Sequence, residues 1–124
     1  MIESIISMEL PAGGHLAIRR NRICPEQETK QCRRISLVSG IHGDELEGQY
    51  ICYETARRVK EHPEYLKGIV DIYPALNPLG IDMASRTVPR LEMDMNRMFP
   101  GDASGDMMER ITAAVVDSII GSDI

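Results

Sequence analysis

A strand, a helix and a second strand in direct succession, then a long irregular segment and a closing helix, predict an α/β fold: a mixed sheet flanked by helices. Three observations carry this. The run Ile35-Ser36-Leu37-Val38-Ser39 stops at Gly40 and turns at once into a stretch of helical spacing. Gly68 to Tyr73 is a second strand-like run, and a strand, helix, strand order closes as a right-handed parallel crossover. The 124 residues, 43% apolar and 27% charged, are composed like one globular domain rather than a disordered or membrane chain.

The elements follow in order. Gly13 and Gly14 introduce His15-Leu16-Ala17-Ile18-Arg19, whose alternation reads as a short strand ending before Asn21. Cys24 to Arg33, with Pro25, Glu26, Gln27, Glu28 and Lys30, reads as a polar surface loop. The helix after Gly40 spans Glu45 to Glu61. In it Leu46, Tyr50 and Tyr53 recur at i, i+4, i+7, as do Cys52, Ala56 and Val59, which predicts a broad apolar face on the sheet, opposite Glu54, Arg57 and Lys60. Pro63 ends it, because the residue before a proline is pushed out of helical geometry. Ala75 to Asp102 carries Pro78, Pro89, Pro100, Gly80 and Gly101 and reads as a long connection without regular structure, a feature more often functional than incidental. Asp106 with Glu109 forms a capping pair, after which Met108, Ile111, Val115 and Ile119 recur at helical spacing up to Gly121.

Composition excludes several function classes. With 14 Lys and Arg against 19 Asp and Glu, the net charge of -5 speaks against a nucleic-acid or anionic-membrane binder, which needs a basic surface. Cys24, Cys32 and Cys52 form neither an even framework nor a C-x-x-C pair, which predicts reduced thiols and a cytoplasmic protein. Met1 to Leu10 contains Glu3 and Glu9 and no basic start, so it does not read as a signal peptide. No window approaches the roughly 20 apolar residues of a membrane span.

Two constellations carry chemistry. Gly40-Ile41-His42-Gly43-Asp44-Glu45 places an imidazole and a carboxylate three apart where a strand gives way to a helix. Both are zinc-ligand types, and the carboxyl end of a strand is where open α/β sheets bind ligands. A histidine closing a turn and a glutamate at a helix start would give the same local pattern. In the long connection, Asn77-Pro78-Leu79-Gly80, Arg86 and Asp94-Met95-Asn96-Arg97-Met98-Phe99-Pro100-Gly101 bring guanidinium groups and asparagines together, which suits a small carboxylate substrate. Arg90 reads as a solvated charge.

These segments, with Leu46-Glu47-Gly48 completing the first, resemble the succinylglutamate desuccinylase and aspartoacylase family, a branch of the zinc carboxypeptidase-like fold; three motifs in order cover about residues 14 to 120. The resemblance implies that His42 and Glu45 are two ligands of one zinc ion. It implies too that Arg86 is catalytic, polarising the scissile carbonyl, and that Asn96 and Arg97 bind the substrate's carboxylate. The activity it implies is zinc-dependent hydrolysis of an N-acyl amino acid or similar small carboxylate amide, with a glutamate as general base. The family's third ligand, a histidine on the strand after the last helix, and its catalytic glutamate have no match before Ile124, and neither His15 nor His62 fits. Residues 1–124 are therefore expected to be the N-terminal portion of one zinc-hydrolase domain, truncated after the second main helix and inactive alone, with an exposed sheet edge through which it could associate. The alternatives are a non-catalytic binding module on the same fold and a metallocarboxypeptidase acting on peptides.

Overall fold

The computed structural model describes residues 1–27 and 32–124. Four strands, β1 (Ile2–Leu10), β2 (Gly14–Ile23), β3 (Arg34–Val38) and β4 (Ile69–Tyr73), form one sheet in the order β1-β2-β4-β3. The pairs β1/β2 and β2/β4 are antiparallel and β3/β4 is parallel, so the sheet is mixed as expected, and helix α1 (Glu47–Glu61) makes the crossover between its two parallel strands. Of the loop expected over 24–33, residues 28–31 lie outside the described residues; Cys24 to Gln27 carry no regular structure.

Strand β1 is an addition to the sequence reading. A bulge between Ser4 and Ile6 switches the inward phase from Glu3 and Ile5 to Ile6, Met8 and Leu10, which hides the alternation that marks a strand. Strand β2 runs on past Asn21 to Ile23 because Arg20 and Arg22 face the sheet's interior side. Arg22 is the cross-strand partner of Asp71 and forks onto its carboxylate, Nε to Oδ1 at 2.7 Å and Nη2 to Oδ2 at 2.6 Å. Arg20 lies 3.8 Å from the same carboxylate and is ion-paired with Glu3. The fork holds the Arg22 guanidinium well above its ordinary pKa, against the opposing pull of burial.

The face that carries Asp71 and Tyr73 meets helix α3 (Met107–Ile119), where the Tyr73 hydroxyl is 2.8 Å from Ser118 Oγ. Leu16, Ile18, Tyr73, Met108, Ile111 and Val115 form the main core here. The opposite face carries Ile72 and is covered by α1, which buries Cys52. Here the structure corrects the sequence: Leu46, Tyr50 and Tyr53, expected on the sheet, are 58%, 65% and 63% exposed. The two apolar stripes lie about a third of a turn apart on the helix, and a flat sheet covers only the stripe of Cys52, Ala56 and Val59. The helix also begins at Glu47 rather than Glu45, which leaves Glu45 in the turn.

Helix α3 starts as its sequence dictates. The Asp106 carboxylate accepts from the backbone N–H of Met108 and Glu109, and the Glu109 carboxylate accepts from the N–H of Asp106. Replacing Asp106 with alanine is expected to cost about 1 kcal/mol by removing this cap. A urea unfolding curve checks it, an unchanged midpoint being the contrary result. At the other end Arg34 donates to the carbonyls of Ile119 and Ile120, and the chain beyond lies along the outer edge of β3, with Asp123 N–H donating to Arg34 O and Ser36 N–H to Ile124 O.

The connection from Ala75 to Asp102 is less irregular than expected. It contains the short helix α2 (Pro78–Asp82), capped by Asn77 Oδ1 accepting from Gly80 N–H, and a 3₁₀ turn over Met95–Arg97 capped by Asp94. Leu76, Val88 and Met95 from this segment are buried in the main core.

Candidate active site

The carboxyl end of β3 opens into a cavity of about 620 Å³ lined by Val38, Ser39, Gly40, Ile41, His42, Glu45, Glu47, Gly48 and Asn96. Gly40 has a φ of +71° and Gly43 sits against Gly80 so closely that a Cβ there would fall 2.0 Å from the Gly80 carbonyl carbon. Only glycine fits both demands, which is why the turn can fold back on itself. Backbone bonds then tie this turn to the long segment: Asn77 N–H donates to Gly40 O at 2.7 Å, and Gly43 N–H to Ser85 O at 2.9 Å. The second bond sets the position of Arg86, the next residue.

His42 and Glu45 converge, with Nδ1 3.0 Å from Oε1, so the structure brings this pair into one cleft. On its other side His42 Nε2 is 3.1 Å from Asp94 Oδ1. If Nε2–H donates to Asp94, the Nδ1 lone pair faces a carboxylate oxygen, and two acceptors this close need a positive centre between them: a proton or a metal ion. The donor types and their convergence therefore fit zinc. Among the described residues no three His, Cys, Asp or Glu side chains are grouped to hold a metal ion, so the set here has two ligands.

Arg86 reaches the same place, Nη1 donating to Glu45 Oε1 at 3.2 Å. Asn96 lines the cavity. Arg97 does not: its side chain is 84% exposed, its Nε 3.8 Å from Asp94 Oδ2. Arg90 is exposed, beyond the bridge between Val88 and Met93. His15 bonds Ser7 and His62 lies beside Glu64, both away from the cavity.

Sequence reasoning gave Asp94 no role. The His42 hydrogen bond, with help from the Asn96 backbone N–H and against the effect of burial, holds its carboxyl below the ordinary range. Its cap on the 3₁₀ turn was open to a local reading, whereas its bond to His42 spans 52 positions.

Comparison with known proteins accords with this geometry. Residues 31–120 match the succinylglutamate desuccinylase/aspartoacylase catalytic domain. The chain belongs to this family. Over 75 residues it is 36% identical to the N-alpha-acetyl-L-2,4-diaminobutyric acid deacetylase of Halomonas elongata, which spans 60% of this chain and 21% of that protein. The succinylglutamate desuccinylase/aspartoacylase structure from Rhodobacter sphaeroides superposes with a TM-score of 0.74 at 32% identity, covering 90% of this chain and 33% of that one. The product-bound ectoine utilization protein EutE (DoeB) from Ruegeria pomeroyi gives 0.78 at 26% identity over 96% of this chain and 36% of the other. The fold is thus the family's zinc carboxypeptidase-like one, and this chain spans about a third of the length of these solved relatives.

Proposed function

We propose that the chain contributes part of the active site of a zinc-dependent deacylase that cleaves the amide of an N-acyl amino acid or a similar small carboxylate. The observation that carries this reading is the convergence of His42 Nδ1 and Glu45 Oε1 at 3.0 Å in a cavity, with Asp94 fixing the far side of the imidazole. Zinc held by His42 and Glu45 would supply Lewis-acid polarisation of a carbonyl and a lowered pKa for water. Asp94 keeps the Nε2 proton in place, so that Nδ1 offers its lone pair toward Glu45. Arg86, already at the Glu45 carboxylate, is placed to donate to the oxygen on which charge develops as the amide is attacked. Asn96 at the cavity wall, and Arg97 once swung inward, supply donors for the substrate's carboxylate. In this reading the protein is cytoplasmic and the third ligand and general base come from outside residues 1–124.

The test has two arms. Calorimetric zinc titration of residues 1–124 is expected to show weak uptake that His42→Ala and Glu45→Ala each abolish; tight stoichiometric zinc indifferent to His42→Ala overturns the ligand assignment. Hydrolysis of N-acyl amino acids is expected only when the remainder of the catalytic domain is supplied, joined or as a separate chain. Turnover of peptides alone would favour a carboxypeptidase, and none at all a binding module. In the active form Arg86→Ala is expected to lower kcat and Arg97→Ala to raise KM, because oxyanion stabilisation acts mainly in the transition state. Equal small effects on both constants would remove these roles.

A further inference from the structure

Helix α3 buries Met108, Ile111, Thr112 and Val115 completely, and of these four only Thr112 carries a hydroxyl. Its Oγ1 lies 3.3 Å from Met98 O, 3.0 Å from Met108 O and 3.1 Å from Glu109 O, yet a hydroxyl has one proton to give. The Glu109 carbonyl already accepts from Asp102 N–H at 3.2 Å, and the Met108 carbonyl has the backbone N–H four residues on as its helical donor. Met98 O has no other donor among the described residues, so the proton matters most there, where its absence leaves a carbonyl unanswered. The chain is pressed against the helix at this point: Gly101 has a φ of +81°, and a Cβ on it would fall 2.3 Å from both Glu109 O and Thr112 Oγ1. Met98 also closes the 3₁₀ turn over Met95–Arg97, its N–H donating to Met95 O at 3.0 Å. At the turn's other end Asp94 Oδ1 accepts from Asn96 N–H at 3.0 Å. The short turn that presents Asn96 and Arg97 is thus pinned at both ends, once by the carboxylate that also holds His42 and once by Thr112.

We infer that Thr112 is a positioning residue for substrate binding: through the Met98 carbonyl, its hydroxyl fixes the turn from which Asn96 and Arg97 meet the substrate's carboxylate. This rests on the proposed role of those two residues and extends it into the core of the molecule. Thr112 itself touches no substrate. A turn left free to shift has to be ordered by the ligand, which weakens binding without changing how the bound amide is attacked. The influence therefore falls on KM, and it belongs to the hydroxyl rather than to the methyl group, which fills space. A threonine that bonds only the preceding turn of its own helix would satisfy its hydroxyl and position nothing, and that reading predicts a different outcome.

The experiment compares Thr112→Val, which keeps the shape and removes the hydroxyl, with Thr112→Ser, which keeps the hydroxyl and removes the methyl. In residues 1–124, hydrogen exchange at the Arg97 and Met98 amides is expected to be about two- to tenfold faster in Thr112→Val, the scale of one neutral hydrogen bond, and unchanged in Thr112→Ser. In the active form, with the rest of the catalytic domain supplied, Thr112→Val is expected to raise KM for an N-acyl amino acid by about the same two- to tenfold factor while kcat holds. That effect is expected to vanish in an Asn96→Ala, Arg97→Ala background, where nothing is left to position. Thr112→Ser is expected to lower the thermal midpoint, by opening a small cavity, and to leave KM at the parent value. A parent-like KM in Thr112→Val, or a KM that follows the thermal midpoint across the two variants, overturns the Thr112 assignment and leaves the deacylase reading standing. Absence of turnover in the parent enzyme removes the deacylase reading and this role with it.

Discussion

Replacing Asp71 with alanine is expected to destabilise the fold by about 3–5 kcal/mol, the cost of breaking a buried ion pair by removing one partner. The side chain of Asp71 is fully buried, with Arg22 forked onto it and Arg20 3.8 Å away; without it, Arg22 loses the carboxylate that answers it, while Arg20 keeps Glu3. Urea unfolding would register this as a midpoint lower by on the order of 1–3 M, given ordinary slopes for a small domain. A double replacement, Asp71→Leu with Arg22→Met, should recover much of the loss, because an apolar pair in the same volume needs no charge compensation. A loss from Asp71→Ala no larger than an ordinary surface substitution would show that water replaces the carboxylate, and that the pair contributes little.

Gly43→Ala is expected to be the most damaging single-methyl change in the site. The added carbon would lie 2.0 Å from the Gly80 carbonyl carbon and 2.2 Å from its oxygen, backbone atoms that have no rotamer by which to yield. Separating the two segments breaks the bond from Gly43 N–H to Ser85 O and so moves Arg86 away from Glu45. Overpacking of a fitted contact costs about 1–3 kcal/mol, and with no side chain to absorb it the upper end applies. In the active form the expected signature is a drop in kcat close to that of Arg86→Ala. Thermal unfolding and zinc titration measured together distinguish this from general damage: zinc uptake by His42 and Glu45 should persist while the protein remains folded. Full activity in Gly43→Ala would sink the argument.

How far the sequence could be read depended on whether the information was local. The strand at 35–39, the turn at Gly40, the crossover helix and the capping pair of Asp106 and Glu109 are each set by residues within a few positions, and the structure has all of them within one or two residues. His42 and Glu45 belong to this class, three apart on one turn. Strand β1 escaped because a bulge shifts its alternation midway, and the end of β2 because two inward arginines look like a surface. The outward turn of Leu46, Tyr50 and Tyr53 could not be seen either: periodicity shows that a helix has an apolar stripe, but with two stripes it cannot say which one the sheet covers. Asp94 on His42 and Asp71 on Arg22 are bonds across 52 and 49 positions, fixed by topology rather than spacing.

The burial of Leu76, Val88 and Met95 has a bearing on how the site behaves before any ligand arrives. A loop that merely covers a cleft can detach while the rest of the molecule stays intact, and its amide protons exchange with solvent at the rate of that local opening. Here the segment that carries Arg86, Asp94 and Asn96 is anchored by side chains that belong to the main core, so detaching it means opening the core as well. Amide exchange at Leu76 and Val88, whose N–H groups donate to Ser39 O and Met93 O, should then report the same free energy of opening as Ile18 and Tyr73. The backbone that carries the side chains awaiting substrate is held by the cooperative unit that keeps the sheet folded, so the ordering left to ligand binding lies in exposed side chains such as Arg97 rather than in the main chain.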